Sequence, residues 1–315
     1  MTAGQLEQVE RAVAELKSFR NGDLGVVHVI ACGESAISAL RAMLFEREPS
    51  GLYQARCRAV EALAALGAHN VLIEFLEAER TITDPVERVG EDAVINAAGL
   101  ALANAREHHV FELLLRLARR SALTGIIGAL GAFENAEAVP ALIDALEEDA
   151  SRLTAEAALR KLGPPARAAL LLTVNVKVPS GGRESESSAR RRRSALGLLT
   201  DMDRSRAVWQ ALRHLVHDAD SKVAALACEI GLTRARASER PGLVRRLIEM
   251  LAHEDWILRE QIAGCLIAHF DSAREVIIRH LSEIPRLGQD AAANRQTETI
   301  LRRVIACAEP IPQVP

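Results

Sequence analysis

The chain has 315 residues, 49% hydrophobic and only 3% aromatic, which is material for two average domains or one extended array. Its 39 basic residues face 42 acidic ones, a net charge of −3 that argues against the strongly basic balance of a nucleic-acid binder. The five cysteines (Cys32, Cys57, Cys228, Cys265 and Cys307) are odd in number and never spaced Cys-x-x-Cys, so they read as small buried hydrophobes in a reducing compartment, not as a disulfide framework.

The chain is built on Ala and Leu with Arg and Glu, residues that lose little side-chain freedom in a helix. The fold class expected is therefore all-α. Met1 to Gln5 opens directly into a charged amphipathic segment, with no apolar leader. The longest uncharged stretches, 93–105 and 121–133, are too short to span a bilayer. These features predict a soluble cytoplasmic protein without a membrane partner.

Leu6, Val9, Val13 and Leu16 form the stripe of a first helix, which Asn21-Gly22-Asp23 breaks. Two segment types then alternate. One is a short apolar helix after a tight turn, as at 34–44, 138–146 and 206–215. The other ends in Ala-Leu-x-x-Leu-Gly, as at Ala62 to Gly67 and Ala158 to Gly163, with a looser instance from Ala195 to Thr200. The following turn repeats too, since Gly33, Ala36, Ala39 and Leu40 recur as Gly163, Ala166, Ala169 and Leu170. Glycine after the last apolar residue supplies a left-handed cap. Asp84-Pro85-Val86-Glu87 reads as an N-cap, a first-position proline and a capping-box glutamate. Pro140, Pro164, Pro165 and Pro241 also mark helix starts, and Asp255 precedes another.

Self-similarity at this spacing predicts a solenoid, because a single helix pair cannot bury its apolar faces and stacked pairs can. We expect about eight antiparallel pairs, one more or fewer, over windows 5–32, 34–66, 69–104, 108–132, 137–162, 165–199, 205–234, 241–270 and 274–308. The expected single domain covers 1–309, with a tail at 310–315. The turn-rich stretch 178–188 predicts an exposed, mobile loop inside the array, followed at once by Arg190, Arg191, Arg192 and Arg193.

A turn of the same Leu-Gly type at Leu130-Gly131, followed by Ala138-Val139-Pro140 and on to Leu146, resembles the HEAT-like repeats, in particular the short bacterial type first named for phycocyanobilin lyases. Ala55, Arg56, Ala59, Ala62 and Leu63 are similar to the second helix of such a unit. The resemblance implies a right-handed α-solenoid whose second helices line a concave side. It implies little about function, since such repeats occur in scaffolds, adaptors, regulators, nucleic-acid binders and a few enzymes.

His214-x-x-His217-Asp218 places two imidazoles and a carboxylate within reach of one face, but no second cluster completes a metal site. Deoxyhypusine hydroxylases are HEAT-repeat enzymes that hold two irons with several His-Glu pairs, and only His253-Glu254 stands here. His108-His109 reads as a polar helix start. Four consecutive arginines point around a whole helix and cannot form one stripe, and Glu184 and Glu186 lie near them. Trp209 lies close to the stripe of Val208, Leu212 and Leu215, whereas Trp256 falls at a helix start where it can reach a rim. No catalytic residue, metal site or cofactor site is read from the spacing. The expectation is a non-enzymatic scaffold binding a protein partner through Arg56, Glu91, Arg152, Glu156, Arg190, Arg191, Arg192, Arg193, Lys222, Trp256 and Arg259. The alternatives are a bilin-lyase-like enzyme or chaperone holding a small ligand in the groove, and a nucleic-acid-binding HEAT protein.

Overall fold

The structure is a computed structural model that describes residues 3–46, 53–203, 205–252, 255–283 and 291–309. The His253-Glu254 dipeptide and the tail 310–315 lie outside the described residues. The protein is all-α, with eighteen α-helices and a single two-stranded hairpin among the described residues. No helix among them is long and apolar enough to cross a membrane. The chain groups into two compact units, 1–166 and 167–315.

The first unit holds α1 (Ala3–Glu15), α2 (Gly22–Ala31), α3 (Ile37–Phe45), α4 (Gln54–Ala65), α5 (His69–Glu77), α6 (Pro85–Ala101), α7 (His108–Arg120), α8 (Thr124–Ala132), α9 (Val139–Asp144) and α10 (Arg152–Leu162). Consecutive helices pack as pairs, and each helix also packs on the one two along: α2, α4, α6, α8 and α10 form one row, and α1, α3, α5, α7 and α9 the other. Leu40, Leu63, Leu72, Val94, Leu114, Ile126, Leu142 and Leu159 are fully buried between the rows.

The tightest part of the first row depends on residues too small to keep the backbones apart. A Cβ built on Gly125 would lie 2.1 Å from the backbone oxygen of Asn96. The Asn96 side chain uses this approach, its Oδ1 accepting from the Gly125 N–H at 2.6 Å and so capping α8 from α6. One sequence expectation changes nearby. Gly131 does not form the left-handed turn after α8 but lies inside that helix, where a Cβ would stand 2.4 Å from Cβ of Ala158. Glu134, at φ 52°, takes the left-handed position instead. Gly33, Gly67 and Gly163 have the positive φ expected of them. At Gly67 the turn is a Schellman closure, with the Ala68 N–H donating to the Leu63 carbonyl at 2.9 Å.

The second unit takes in most of α11 (Pro164–Thr173), a hairpin of β1 (Pro179–Ser180) and β2 (Arg183–Glu184), then α12 (Glu186–Met202), α13 (Arg206–Leu212), α14 (Ser221–Arg234), α15 (Arg240–Met250), α16 (Trp256–Ala268), α17 (Phe270–Glu283) and α18 (Ala291–Ala308). From α12 on, the pattern of the first unit recurs: α12, α14, α16 and α18 pack in succession, α15 packs on α17, and the chain neighbours pair. Aspartates start the helices as their short carboxylates dictate: Asp84, Asp220 and Asp255 accept from the first-turn N–H groups of α6, α14 and α16.

Candidate binding surface

An arginine device recurs along the chain. The last carbonyls of a helix have no partner within it, and arginines of other helices supply donors. Arg56 Nε donates to the Leu44 carbonyl at 2.9 Å, Arg58 Nη1 to Leu16 at 2.9 Å, Arg192 Nε to Val174 at 2.8 Å and Arg234 Nη2 to Thr200 at 2.8 Å. Two of these arginines are buried nodes. Arg56 places its Nη atoms on both Glu91 oxygens, at 2.6 and 3.2 Å, and Arg80 approaches the same carboxylate at 2.7 Å while lying over the Phe75 ring. Arg192, with no exposed surface, donates to Glu184 at 2.7 Å and to Asp218 at 2.5 Å. Lys177 reaches Asp218 at 3.0 Å.

Burial alone would push Asp218 upward, but hydrogen bonds from Arg192, the Asp220 N–H and Lys177 outweigh it and hold the carboxyl at about 2. The same balance raises the Arg192 guanidinium, because Asp218 and Glu184 outweigh its desolvation.

This geometry corrects the sequence reading in three respects. Arg56, Glu91 and Arg192 were expected on a partner-facing surface and are instead buried, Arg56 against Glu91 and Arg192 against Glu184 and Asp218. Arg192 sits on the same helical stripe as Ala189, Ala195, Leu196 and Leu199, all buried, so its side chain enters the core. The stretch 178–188 is a hairpin that is exposed around its tip, with the helix already under way at Glu186. Its far end is fastened: the fully buried Ser188 donates to Glu184 at 2.8 Å and accepts from the Val178 N–H at 3.0 Å.

The other candidates are partly exposed. Arg193 is bound to the α14 cap Asp220 and to Glu186 at 2.8 Å, and Lys222 to the α16 cap Asp255 at 2.7 Å. One cation thus ties each cap to a neighbouring helix. Arg152 meets Asp149 at 3.2 Å and Glu156 meets Arg160 at 3.9 Å, both along their own helix end. Arg190, Arg191 and Arg259 are half-buried. Trp256 is 65% exposed, whereas Trp209 is buried. His214 Nε2 pairs with Asn175 Oδ1 at 2.8 Å and Asp218 is turned onto cations, so the histidine cluster does not converge. Among the described residues no three His, Cys, Asp or Glu side chains gather as a metal site.

Two features escaped the sequence. The first is a series of large apolar side chains left exposed near the starts of second helices: Leu24 and Val27 on α2, Val86 and Val89 on α6, Leu153 on α10, and Ile257 beside Trp256 on α16. The second is a cavity of about 470 Å³ in the first unit, between the 78–84 connector and helices α6, α7 and α8, lined by Arg80, Ile82, Arg88, Glu91, Asp92, Ile95, Leu117, Arg120 and Leu123 among others. A wider cavity of about 730 Å³ lies beneath the hairpin in the second unit, against Lys177, Arg183, Glu184 and Asp220.

No family model and no curated protein matches the chain. A solved structure similar to it is the crystal structure of an engineered protein from the Northeast Structural Genomics Consortium, 17% identical, covering 94% of this chain and 88% of the other with a TM-score of 0.38. A likeness at that level carries no argument about fold or function.

Proposed function

We propose that the chain is a HEAT-like α-solenoid of nine helix pairs that acts as a non-enzymatic scaffold, binding a protein partner across the starts of its second helices. The observation that carries this reading is the placement of exposed apolar side chains. An isolated exposed leucine or valine needs no explanation. Here Leu24, Val27, Val86, Val89, Leu100 and Leu153 all belong to one row of helices, and Leu24, Val86, Val89 and Leu153 lie within the first five residues of theirs. Recurrent apolar exposure of this kind marks interaction surfaces, and Trp256 is of the residue type enriched at binding hot spots. Arg193 and Lys222 are better read as structural in their own unit, because each is held by a helix-capping aspartate.

Affinity capture should compare the native chain with a Val86→Ser, Val89→Ser, Leu153→Ser variant, with thermal unfolding as a folding control. The reading expects loss of the captured partner with an unchanged melting temperature. Capture that is undiminished in the folded variant removes the apolar surface from the account.

A further inference from the structure

Helix α6 carries an apolar stripe along its whole length. Val86, Val89, Ala93, Ala97 and Leu100 follow one another at intervals of three and four residues, so they share one face. Val86, Val89 and Leu100 are exposed and the two alanines half-buried, while Glu91, Val94 and Ala98 on the other side are buried. The stripe runs about 21 Å at the rise of an α-helix. Its spacing averages about 3.5 residues, that of a seam between two helices.

Beside this stripe α8 turns out a face of small residues. Gly125 of α8 meets Asn96 of α6, and Gly131 meets Ala158 of α10, so α6 and α10 flank α8 closely on its two sides. Between these contacts Thr124, Gly128 and Ala132 lie one turn apart, none of them buried. Leu153 and Ala157 are exposed on α10. The surface is therefore a channel, with small residues as its floor and the apolar stripes of α6 and α10 as its walls. Packed helix axes stand about 8–10 Å apart, which puts α6 and α10 about 16–20 Å from each other across α8. A helix with its side chains is about 10–12 Å across, so one helix fits the channel, whereas a flat surface reaches only the ridges. Gly128 adds a second indication. Gly125 and Gly131 are required by packing inside the unit, but a Cβ on Gly128 would meet only Cγ2 of Thr154, at 3.4 Å. The unit leaves this helix-weakening glycine unexplained, and a backbone coming down on the floor explains it.

The charge of the unit sets the sign of what it attracts. Residues 1–166 hold 24 acidic side chains against 16 basic ones. At the end of the channel Lys161 is paired with Glu134 at 2.8 Å, so the lining does not reverse that field. Such a unit draws a cationic partner and repels an acidic one. We infer that the channel docks one cationic amphipathic α-helix of a partner protein, lying lengthwise along α6. The inference rests on the partner surface proposed above and adds the shape and charge of what binds there.

Fluorescence anisotropy of the full chain tests it with a labelled peptide of three Leu-Lys-Lys-Leu-Leu-Lys-Leu repeats, beside a scrambled peptide of the same composition and one with Glu for every Lys. Saturable micromolar binding of the first is expected, with the other two at least about tenfold weaker. Leu100→Ser should weaken binding about tenfold, the loss of one buried aliphatic contact, and Leu24→Ser on α2 should leave it unchanged. Gly128→Leu should abolish it with no fall in melting temperature, because the new side chain stands in the channel. Equal binding of the scrambled or the acidic peptide, no saturable binding, or undiminished binding in both Leu100→Ser and Gly128→Leu would each overturn the inference. So would a dimer of the full chain that Gly128→Leu dissolves, since a second copy would then be the occupant. In the capture assay, a partner lost from the serine variant but fully retained by Gly128→Leu would keep the apolar surface and refute the docked helix.

Discussion

Replacing Arg192 by methionine should be among the most damaging single changes in the second unit. The side chain has no exposed surface and donates to Val174, Glu184 and Asp218. Methionine keeps much of the apolar stem but leaves two acids, a buried carbonyl and the hairpin end without their shared donor. Removing one partner from a buried ion pair costs about 3–5 kcal/mol, because the remaining charge is stranded. For a unit of this size roughly 2–4 °C of melting temperature accompanies each kcal/mol. The expected drop is therefore about 6–20 °C, read by differential scanning calorimetry of the full chain as a shift of the transition that carries the second unit. A triple variant, Arg192→Met with Glu184→Gln and Asp218→Asn, separates stranded charge from lost packing. If stranded charge dominates, neutralising the acids restores at least half of the loss. The reasoning fails if Arg192→Met costs no more than Arg279→Ala, an exposed one-turn pair with Glu275, expected at well under about 1 kcal/mol.

Further predictions follow from the same structure. Gly125→Ala should destabilise the first unit by more than about 2 kcal/mol in urea unfolding, since the new Cβ meets Asn96 backbone; a gain of about 1 kcal/mol, the ordinary helix preference for alanine, would show that α6 and α8 separate freely. Asn96→Ala should cost about 1 kcal/mol by removing the cap on α8, and an unchanged unfolding midpoint would count against that role. Asp218 sits at about 2, below its unfolded value near 3.9, so its contribution, on the order of 2–3 kcal/mol, is complete above about pH 5 and is lost as pH falls through about 2. Asp218→Asn should flatten the stability profile in that window, and a profile as steep as the native one would contradict the assignment. Burial pushes Cys228 and Cys265 up to about 12, so a thiol reagent at pH 8 should label the exposed Cys307 far faster, with peptide mass mapping to show the order.

The all-helical class was legible because it follows from local signals: helix-forming composition, capping aspartates, prolines at helix starts and glycines at Gly33, Gly67 and Gly163. Gly131 misled because the same Leu-Gly pair serves two purposes. A glycine can end a helix, or it can let a neighbouring helix come close, and only the position of Ala158 decides between them. Arg192 was readable in principle. It shares a stripe with Ala189, Ala195 and Leu196, so of the four arginines it is the one that points inward. Its acids were not readable, because Asp218 lies 26 residues on and Glu184 arrives by way of the hairpin. Arg56 escaped for a similar reason: its carbonyl partner Leu44 belongs to a preceding helix. The cavity in the first unit gathers residues from Leu76 to Ile126, and no local spacing announces such a set.

The account rests most on the claim that partners are met at the starts of the second helices. Hydrogen–deuterium exchange of the full chain, with and without a captured partner, tests it directly. The account predicts protection concentrated at 22–30, 85–92, 152–156 and 256–260, with the first helices of the pairs unchanged. Protection confined to α1, α3, α5 and α7, or to 190–193, would contradict it.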